Sequence, residues 1–269
     1  MLNNSHPRLV ATDLDGTIVH SDGTVSARTI AACARVEEAG ATLVFVTGRP
    51  PRFMGDIATT FAHRGVAVCS NGALIYDMHT ERVISEHLIP PRELAEAARR
   101  LREAIPRIGL AVESGSALTA DGRYEPARWD GVTTLDRRPD AELFCRPTAK
   151  LLGRHPALSA DELLALAIPA IGGIVAVYHS NGPRLVEASA AGISKASGLA
   201  LLAAEKGIPA TAVVAFGDMP NDLPMLAWAG TSYAVANAHP NVLAAVDQVI
   251  ASNDEDGVAQ VIERLFPAR

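Results

Sequence analysis

An α/β fold, a doubly wound parallel sheet interrupted by an inserted α+β unit, is predicted by three features of this sequence. Short apolar runs alternate with helical segments at both ends of the chain. Several of these runs stop at polar or glycine-containing turns. The middle third loses the alternation. The chain has 269 residues and 48% hydrophobic composition, enough to bury a core of one large domain or two modest ones.

Leu9–Thr12 reads as a buried strand that ends at Asp13-Leu14-Asp15-Gly16-Thr17. Ser26 is placed to cap a helix that runs to Ala39 and stops at Gly40. Ala41–Val46 is a second strand, ending at Thr47-Gly48-Arg49-Pro50; Phe53–Phe61 a short helix; and Val66–Cys69 a third strand. Ala73–Tyr76 and Val83–His87 form a pair of short strands about a polar turn, and Pro90-Pro91 closes this part. A helix over Arg92–Ala104 opens an α+β stretch that extends to about Val186. Its longest apolar segment, Leu163–Tyr178, is broken by Pro169, Gly172 and Gly173 into a helix, a break and a strand. The alternation then resumes: helix Lys195–Glu205, strand Val213–Phe216 ending at Gly217-Asp218-Met219-Pro220-Asn221-Asp222, helix Leu223–Trp228, strand Tyr233–Val235, helix Asn241–Val246, strand Val249–Ile250 and helix Val258–Phe266.

Composition narrows the function. The net charge of −6, from 30 acidic and 24 basic residues, comes without a Lys/Arg block, so a nucleic-acid surface is not expected. No segment has the length of a membrane span, and the polar stretch Met1–Arg8 lacks the apolar core of a signal peptide, which makes a cytoplasmic location the default. Cys33, Cys69 and Cys145 are too widely spaced for a zinc site and read as buried, reduced thiols. Neither of the common glycine-rich nucleotide-binding patterns is present.

In an open α/β sheet, ligands bind at the carboxyl ends of the strands. Asp13 and Asp15 leave such an end on the same side, two residues apart. Two carboxylates so close call for a cation or a shared proton, and magnesium suits hard oxygen ligands. A solvated Asp-x-Asp-Gly turn is the alternative. Thr47 and Asp218/Asp222 end two further strands. A carboxylate nucleophile, a second carboxylate, a divalent ion and an ammonium group together suit phosphoryl transfer.

The segments Asp13-Leu14-Asp15-Gly16-Thr17, Thr47-Gly48-Arg49, Lys195 and Gly217-Asp218-x-x-Asn221-Asp222 resemble the four motifs of the haloacid dehalogenase (HAD) superfamily over essentially the whole chain. Ser70-Asn71-Gly72-Ala73, Gly192-Ile193-Ser194-Lys195, Asn237-Ala238 and Glu255-Asp256-Gly257-Val258 narrow the resemblance to the Cof-type phosphatases with a large cap. The resemblance implies a catalytic core over residues 1–84 and 188–269 and a specificity-setting cap over 85–187. It implies a magnesium-dependent phosphatase acting on a small phosphorylated metabolite, such as a sugar phosphate. Asp13 would be the nucleophile, forming an aspartyl-phosphate, and Asp15 the acid/base. Thr47, Gly48, Lys195 and Asn221 would hold substrate or phosphate; Asp13, Asp15 (through its carbonyl) and Asp218 would hold Mg2+; Asp222 would stand behind them.

Other readings stay open at this point. A phosphomutase, a non-catalytic phosphoacceptor or a silent binding protein uses much of the same set. Thr47-Gly48 also fits an ordinary turn, Asn221 a helix cap, Asn71 a hairpin turn, and Arg49 either a substrate clamp or a partner for a surface acid. Lys195 at a helix start stands where the helix dipole disfavours a cation, which speaks for a role beyond structure. Among Glu113, Arg123, Arg137, Arg146 and His179 in the middle unit, none is singled out. Oligomeric state is not legible.

Overall fold

The computed structural model describes residues 6–127, 131, 134–179 and 184–268. Its main sheet contains β1 (Leu9–Thr12), β2 (Thr42–Val46), β3 (Val66–Cys69), β4 (Leu74–Asp77) and β5 (Arg82–Glu86) from the first part of the chain. A second sheet is built from β6 (Gly109–Glu113), β7 (Leu118–Ala120), β8 (Asp136–Arg137), β9 (Lys150–Arg154), β10 (Val175–Tyr178) and β11 (Leu185–Ala190). The chain then returns to the main sheet with β12 (Val213–Gly217), β13 (Thr231–Val235) and β14 (Gln248–Ile250). The main order is β14-β13-β12-β1-β2-β3-β4-β5, parallel from β14 to β3 and antiparallel for the β4–β5 hairpin. The second sheet runs β10-β11-β9-β6-β7-β8.

Helices α1 (Ala27–Glu38), α2 (Met54–Thr60), α6 (Lys195–Glu205), α7 (Leu223–Trp228), α8 (Pro240–Leu243) and α9 (Gly257–Leu265) belong to the main sheet. Helices α3 (Pro91–Ala104), α4 (Asp140–Leu143) and α5 (Ala160–Ile171) belong to the insertion. The apolar runs read from the sequence are the sheet's centre: all four residues of β1 and all five of β12 are buried, as expected for strands covered on both faces. The Ser26 hydroxyl accepts from the Thr29 amide and caps α1.

Three details differ from expectation. Helix α5 continues through Pro169 to Ile171, because a proline in the last turn removes only one hydrogen bond and the chain leaves the helix two residues later. The change of sheet also falls slightly after residues 84 and 187: β5 pairs with β4 as far as Glu86, and β11 remains in the second sheet to Ala190. Cys145 is exposed, whereas Cys33 and Cys69 are buried, where burial pushes both thiols up, Cys33 to about 12. We expect iodoacetamide at pH 8 to add one label to the native chain, at Cys145, and three after denaturation, by intact mass. Labelling of Cys33 or Cys69 at a similar rate in the native chain would contradict this packing.

The insertion packs its own core. Leu110, Leu151, Val186, Ala188 and Val175 point from one face of the six-stranded sheet toward α3 and α5, with Leu94, Leu101, Leu163 and Ile171. Strand alternation therefore sends Glu113, Lys150, Glu187, Ser189 and Tyr178 to the opposite, helix-free face.

Candidate active site

The carboxyl ends of β1 and β12 lie side by side, and the Asp13 amide donates to the Phe216 carbonyl at 3.0 Å. The chain turns sharply after β1: Thr17, Ile18 and Val19 amides all reach back to the Leu14 carbonyl. Gly16 stands in that turn with φ +78°, where a Cβ would lie 2.5 Å from Asp218 Oδ2, so the turn closes onto the β12 loop only without a side chain.

Lys195, the first residue of α6, is 2% exposed. Its ammonium donates to Asp13 Oδ1 at 2.5 Å and to Asp222 Oδ1 at 2.6 Å. The other Asp222 oxygen accepts from the Asp218 and Met219 amides at 3.1 and 3.0 Å, which fixes the loop after β12. Asp218 accepts from the Thr17 hydroxyl at 3.0 Å. Thr47 is buried at the end of β2, its hydroxyl accepting from the Arg49 amide at 3.0 Å and its carbonyl from the Asn71 amide at 3.0 Å. Asn221 does not cap α7; its amide donates to Asn71 Oδ1 at 2.9 Å. The Gly48 carbonyl accepts from the Lys150 ammonium at 2.9 Å, and Lys150 also donates to Glu187 at 2.6 Å.

Asp15 stands apart from this cluster. Its side chain is 42% exposed and is held by Arg49, whose Nε donates to Oδ2 at 2.8 Å while Nη2 donates to Oδ1. The structure thus joins Asp13, Lys195, Asp218 and Asp222 directly, brings Thr47, Gly48 and Asn221 onto the loops around them, and gives Arg49 an acidic partner.

Carboxylate oxygens of Asp13, Asp218 and Asp222 lie within 4.8 Å of one another, the only such group of metal-ligating side chains among the described residues. The three differ in what they can offer. Asp222 has both oxygens engaged, whereas Asp13 and Asp218 each carry an oxygen that, among the described residues, meets only the neighbouring carboxylate. Burial, more than any neighbour, raises Asp13 well above the usual carboxylate range; Lys195 opposes this, and Asp222, Asp218 and Asp15 add to it. Burial likewise raises Asp218 to about 7, reinforced by Asp222. Burial works against the Lys195 charge as well, yet Asp13 and Asp222 outweigh it and raise that ammonium. One lysine among three buried carboxylates leaves excess negative charge, and an all-oxygen donor set of this kind fits a hard divalent cation.

The family model for haloacid dehalogenase-like hydrolases matches residues 10–262. The chain belongs to this family. Among relatives, a pyridoxal phosphate phosphatase of Escherichia coli is 28% identical, aligned over 95% of this chain and 97% of its own. A 5-amino-6-(5-phospho-D-ribitylamino)uracil phosphatase of Bacillus subtilis is 25% identical over 97% and 98%. A HAD phosphatase structure from Bacteroides thetaiotaomicron superposes with a TM-score of 0.84 at 23% identity, covering 98% of this chain and 96% of the other. A HAD subclass IIB sugar phosphatase superposes with a TM-score of 0.81 at 22% identity, covering 96% and 98%. The inserted α+β unit is the cap of this HAD fold, and the chain is a phosphatase of the family. No helix among the described residues is long and apolar enough to cross a membrane.

Sequence reasoning passed over several residues at this site. Thr17 was part of a quoted motif without a role of its own, although it joins β1's turn to Asp218. Lys150 and Glu187 received no role at the site, because each gains meaning only from its partner on a neighbouring strand. Of the middle-unit candidates, Glu113 accepts two bonds from Arg52 at 3.1 Å. His179 pairs with Asp161 at the start of α5, and Arg137 donates to the Asp121 carbonyl.

Proposed function

We propose that this chain hydrolyses a small phosphorylated metabolite, a sugar phosphate or a similar ester, with Mg2+ and through an aspartyl-phosphate at Asp13. The observation that carries the reading is the single ammonium shared by Asp13 and Asp222, with Asp218 in the same buried cluster, at the ends of two adjacent parallel strands.

In this reading Lys195 orients Asp13 and keeps one of its oxygens anionic, leaving the other to attack phosphorus. The P–O bond to the leaving group breaks as the Asp13–phosphorus bond forms, and Asp15 gives the departing oxygen its proton. Asp15 then takes a proton from the water that attacks the phosphoaspartate, releasing inorganic phosphate and regenerating Asp13. Arg49 aims Asp15 for both transfers. Thr47 and Gly48 supply a hydroxyl and a backbone N–H for phosphate oxygens, and Asn221 borders them on the far side. Asp13 and Asp218, with the Asp15 carbonyl, would hold Mg2+, which when bound supplies charge neutralisation for the transferring phosphoryl group. Asp222 fixes the loop that carries Asp218. The division into a core and a cap, with the cap expected over 85–187 and the sheet changes falling a few residues after each of those bounds, belongs to this reading, as does action in the cytoplasm, to which two buried free thiols are suited.

Phosphate release from a panel of sugar phosphates and pyridoxal phosphate is expected with magnesium and is expected to fall to background with EDTA. Absence of release from every ester, or release that survives EDTA, would remove the reading; transfer of the phosphoryl group to a second sugar would convert it to a mutase.

A further inference from the structure

Two stretches of the sequence, Asn237-Ala238 and Glu255-Asp256-Gly257-Val258, have no part in the phosphoryl transfer itself. In the structure they converge on the turn that follows β1. Asn237 stands just after β13 and donates from its side-chain amide to the Gly16 carbonyl at 2.8 Å. Its Oδ1 accepts from the Asn253 backbone N–H at 3.0 Å, and the buried Asn253 side chain donates in turn to the Val19 carbonyl at 2.9 Å. In the same segment as Asn237, the His239 amide donates to the Asp218 carbonyl at 2.8 Å. One short piece of chain after β13 therefore grips both loops of the acidic cluster, the β1 turn at Gly16 and the β12 loop at Asp218.

The second stretch holds the same turn farther along. Asp254, beside it, accepts from the Ser21 amide and hydroxyl at 2.8 and 2.7 Å. Asp256 Oδ1 accepts from the Ser26 and Thr29 hydroxyls at 2.6 and 3.2 Å and lies 3.2 Å from His20 Nε2. Gly257 allows this close return, since a Cβ there would run into the Ala251 carbonyl oxygen. The whole length from Gly16 to Thr29 is thus anchored on the C-terminal part of the chain.

The point gripped is the one that most needs it. Gly16, at φ +78°, has the least conformational restraint of its own in this turn. It lies between Asp15, whose carbonyl is proposed for Mg2+, and Thr17, whose hydroxyl is bonded to Asp218. Holding the Gly16 carbonyl restrains both peptide planes that meet at this glycine, and with them the direction of the Asp15 carbonyl. Asn237 is exposed, so burial does not compel its bonds. An amide suits the place because its two ends have opposite polarity, one donating to a carbonyl and the other accepting from an N–H. We infer that Asn237 is a positioning residue for the metal cradle: acting through Gly16, it sets the Asp15 carbonyl relative to Asp218 and so governs affinity for Mg2+, not for the ester. The inference rests on the phosphatase reading, which assigns Mg2+ to this cluster.

The test titrates Mg2+ alone into the native chain, Asn237→Ala and Asn237→Asp by calorimetry, with folding checked by circular dichroism. Asn237→Ala is expected to bind Mg2+ about tenfold more weakly, the size usual for a residue that orients a metal ligand from outside. The Mg2+ concentration for half-maximal phosphate release should rise by about the same factor, while KM for the ester at saturating Mg2+ stays within about twofold. Asn237→Asp keeps the acceptor for Asn253 but turns an oxygen toward the Gly16 carbonyl. It is expected to weaken Mg2+ binding too, although its added charge alone would tighten it. A folded Asn237→Ala chain that binds Mg2+ within about twofold of native overturns the inference, and so does tighter binding by Asn237→Asp. Should Asn237→Ala not fold, Asn237→Asp decides. If neither folds, amide hydrogen exchange of the native chain decides: Mg2+ is expected to slow residues 16–19 and 237–239 together, and slowing of only one of these, or of neither, overturns the inference. Mg2+-dependent phosphate release by the native chain, with affinity unaltered in the variants, spares the phosphatase reading. A native chain that binds no Mg2+ defeats the magnesium reading and the inference with it.

Discussion

Asp13→Asn is expected to lower phosphate release by about 10⁴-fold or more while leaving the fold intact. The amide oxygen of Asn still accepts from Lys195, and the backbone bond to Phe216 does not involve the side chain. The variant therefore loses an anionic nucleophile and little else, and its thermal midpoint should stay within a few degrees of the native value. Asp15→Asn supplies the complementary result: attack by Asp13 persists on an ester with a good leaving group, but water is no longer activated. A phosphorylated chain should then accumulate and be seen by intact mass. Residual turnover by Asp13→Asn above about one hundredth of native would remove Asp13 as the nucleophile. Failure of Asp15→Asn to trap phosphate on the protein would move the acid/base assignment elsewhere.

Lys195→Met should combine the loss of activity with a loss of stability. The ammonium is 2% exposed and is the only cation bonded to Asp13 and Asp222 among the described residues. Methionine matches its length but leaves carboxylates buried without their counter-charge, a change that ordinarily costs about 3–5 kcal/mol. Urea unfolding in EDTA should record a loss of that order, together with a fall in kcat of about 10³-fold. Magnesium should recover more stability in the variant than in the native chain, since the same carboxylates then depend on the ion alone for neutralisation. A variant as stable as the native protein in EDTA would show that the site's charge is balanced in some other way.

Much of the architecture was legible because parallel strands covered on both faces announce themselves as unbroken apolar runs. Leu9–Thr12, Val66–Cys69 and Lys195–Glu205 were read with the boundaries that the structure has. The strand-end acids could be placed at one sheet edge for the same reason, since alternating strand and helix fix the direction of every strand. The cap was less legible. Its strands are short and one-sided, and β9 has the sequence Lys-Leu-Leu-Gly-Arg, whose alternation is too brief to stand out from a helix turn. The pairing of Lys150 with Glu187 depends on antiparallel register between β9 and β11, a long-range fact that no local pattern carries. In the Glu187-Ala188-Ser189 stretch, Glu187 and Ser189 lie on the cap sheet's open side, where Lys150 reaches the Gly48 carbonyl of the core, while Ala188 packs with α3 and α5. Arg49 was undecided between substrate and surface acid; it holds Asp15, itself part of the motif.

The position of β1 between β2 and β12 has a consequence for how the molecule is made. β2 follows within a few tens of residues, but β12 is synthesised about two hundred residues after β1, with the whole cap between them. On the ribosome, β1 therefore waits with one edge of its backbone unpaired, while the cap, a continuous stretch of chain with its own apolar centre, is free to fold as soon as it emerges. Asp13 and Asp218 meet only at the last stage, so a chain truncated before Val213 is expected to carry a finished lid over a sheet that still exposes a sticky edge.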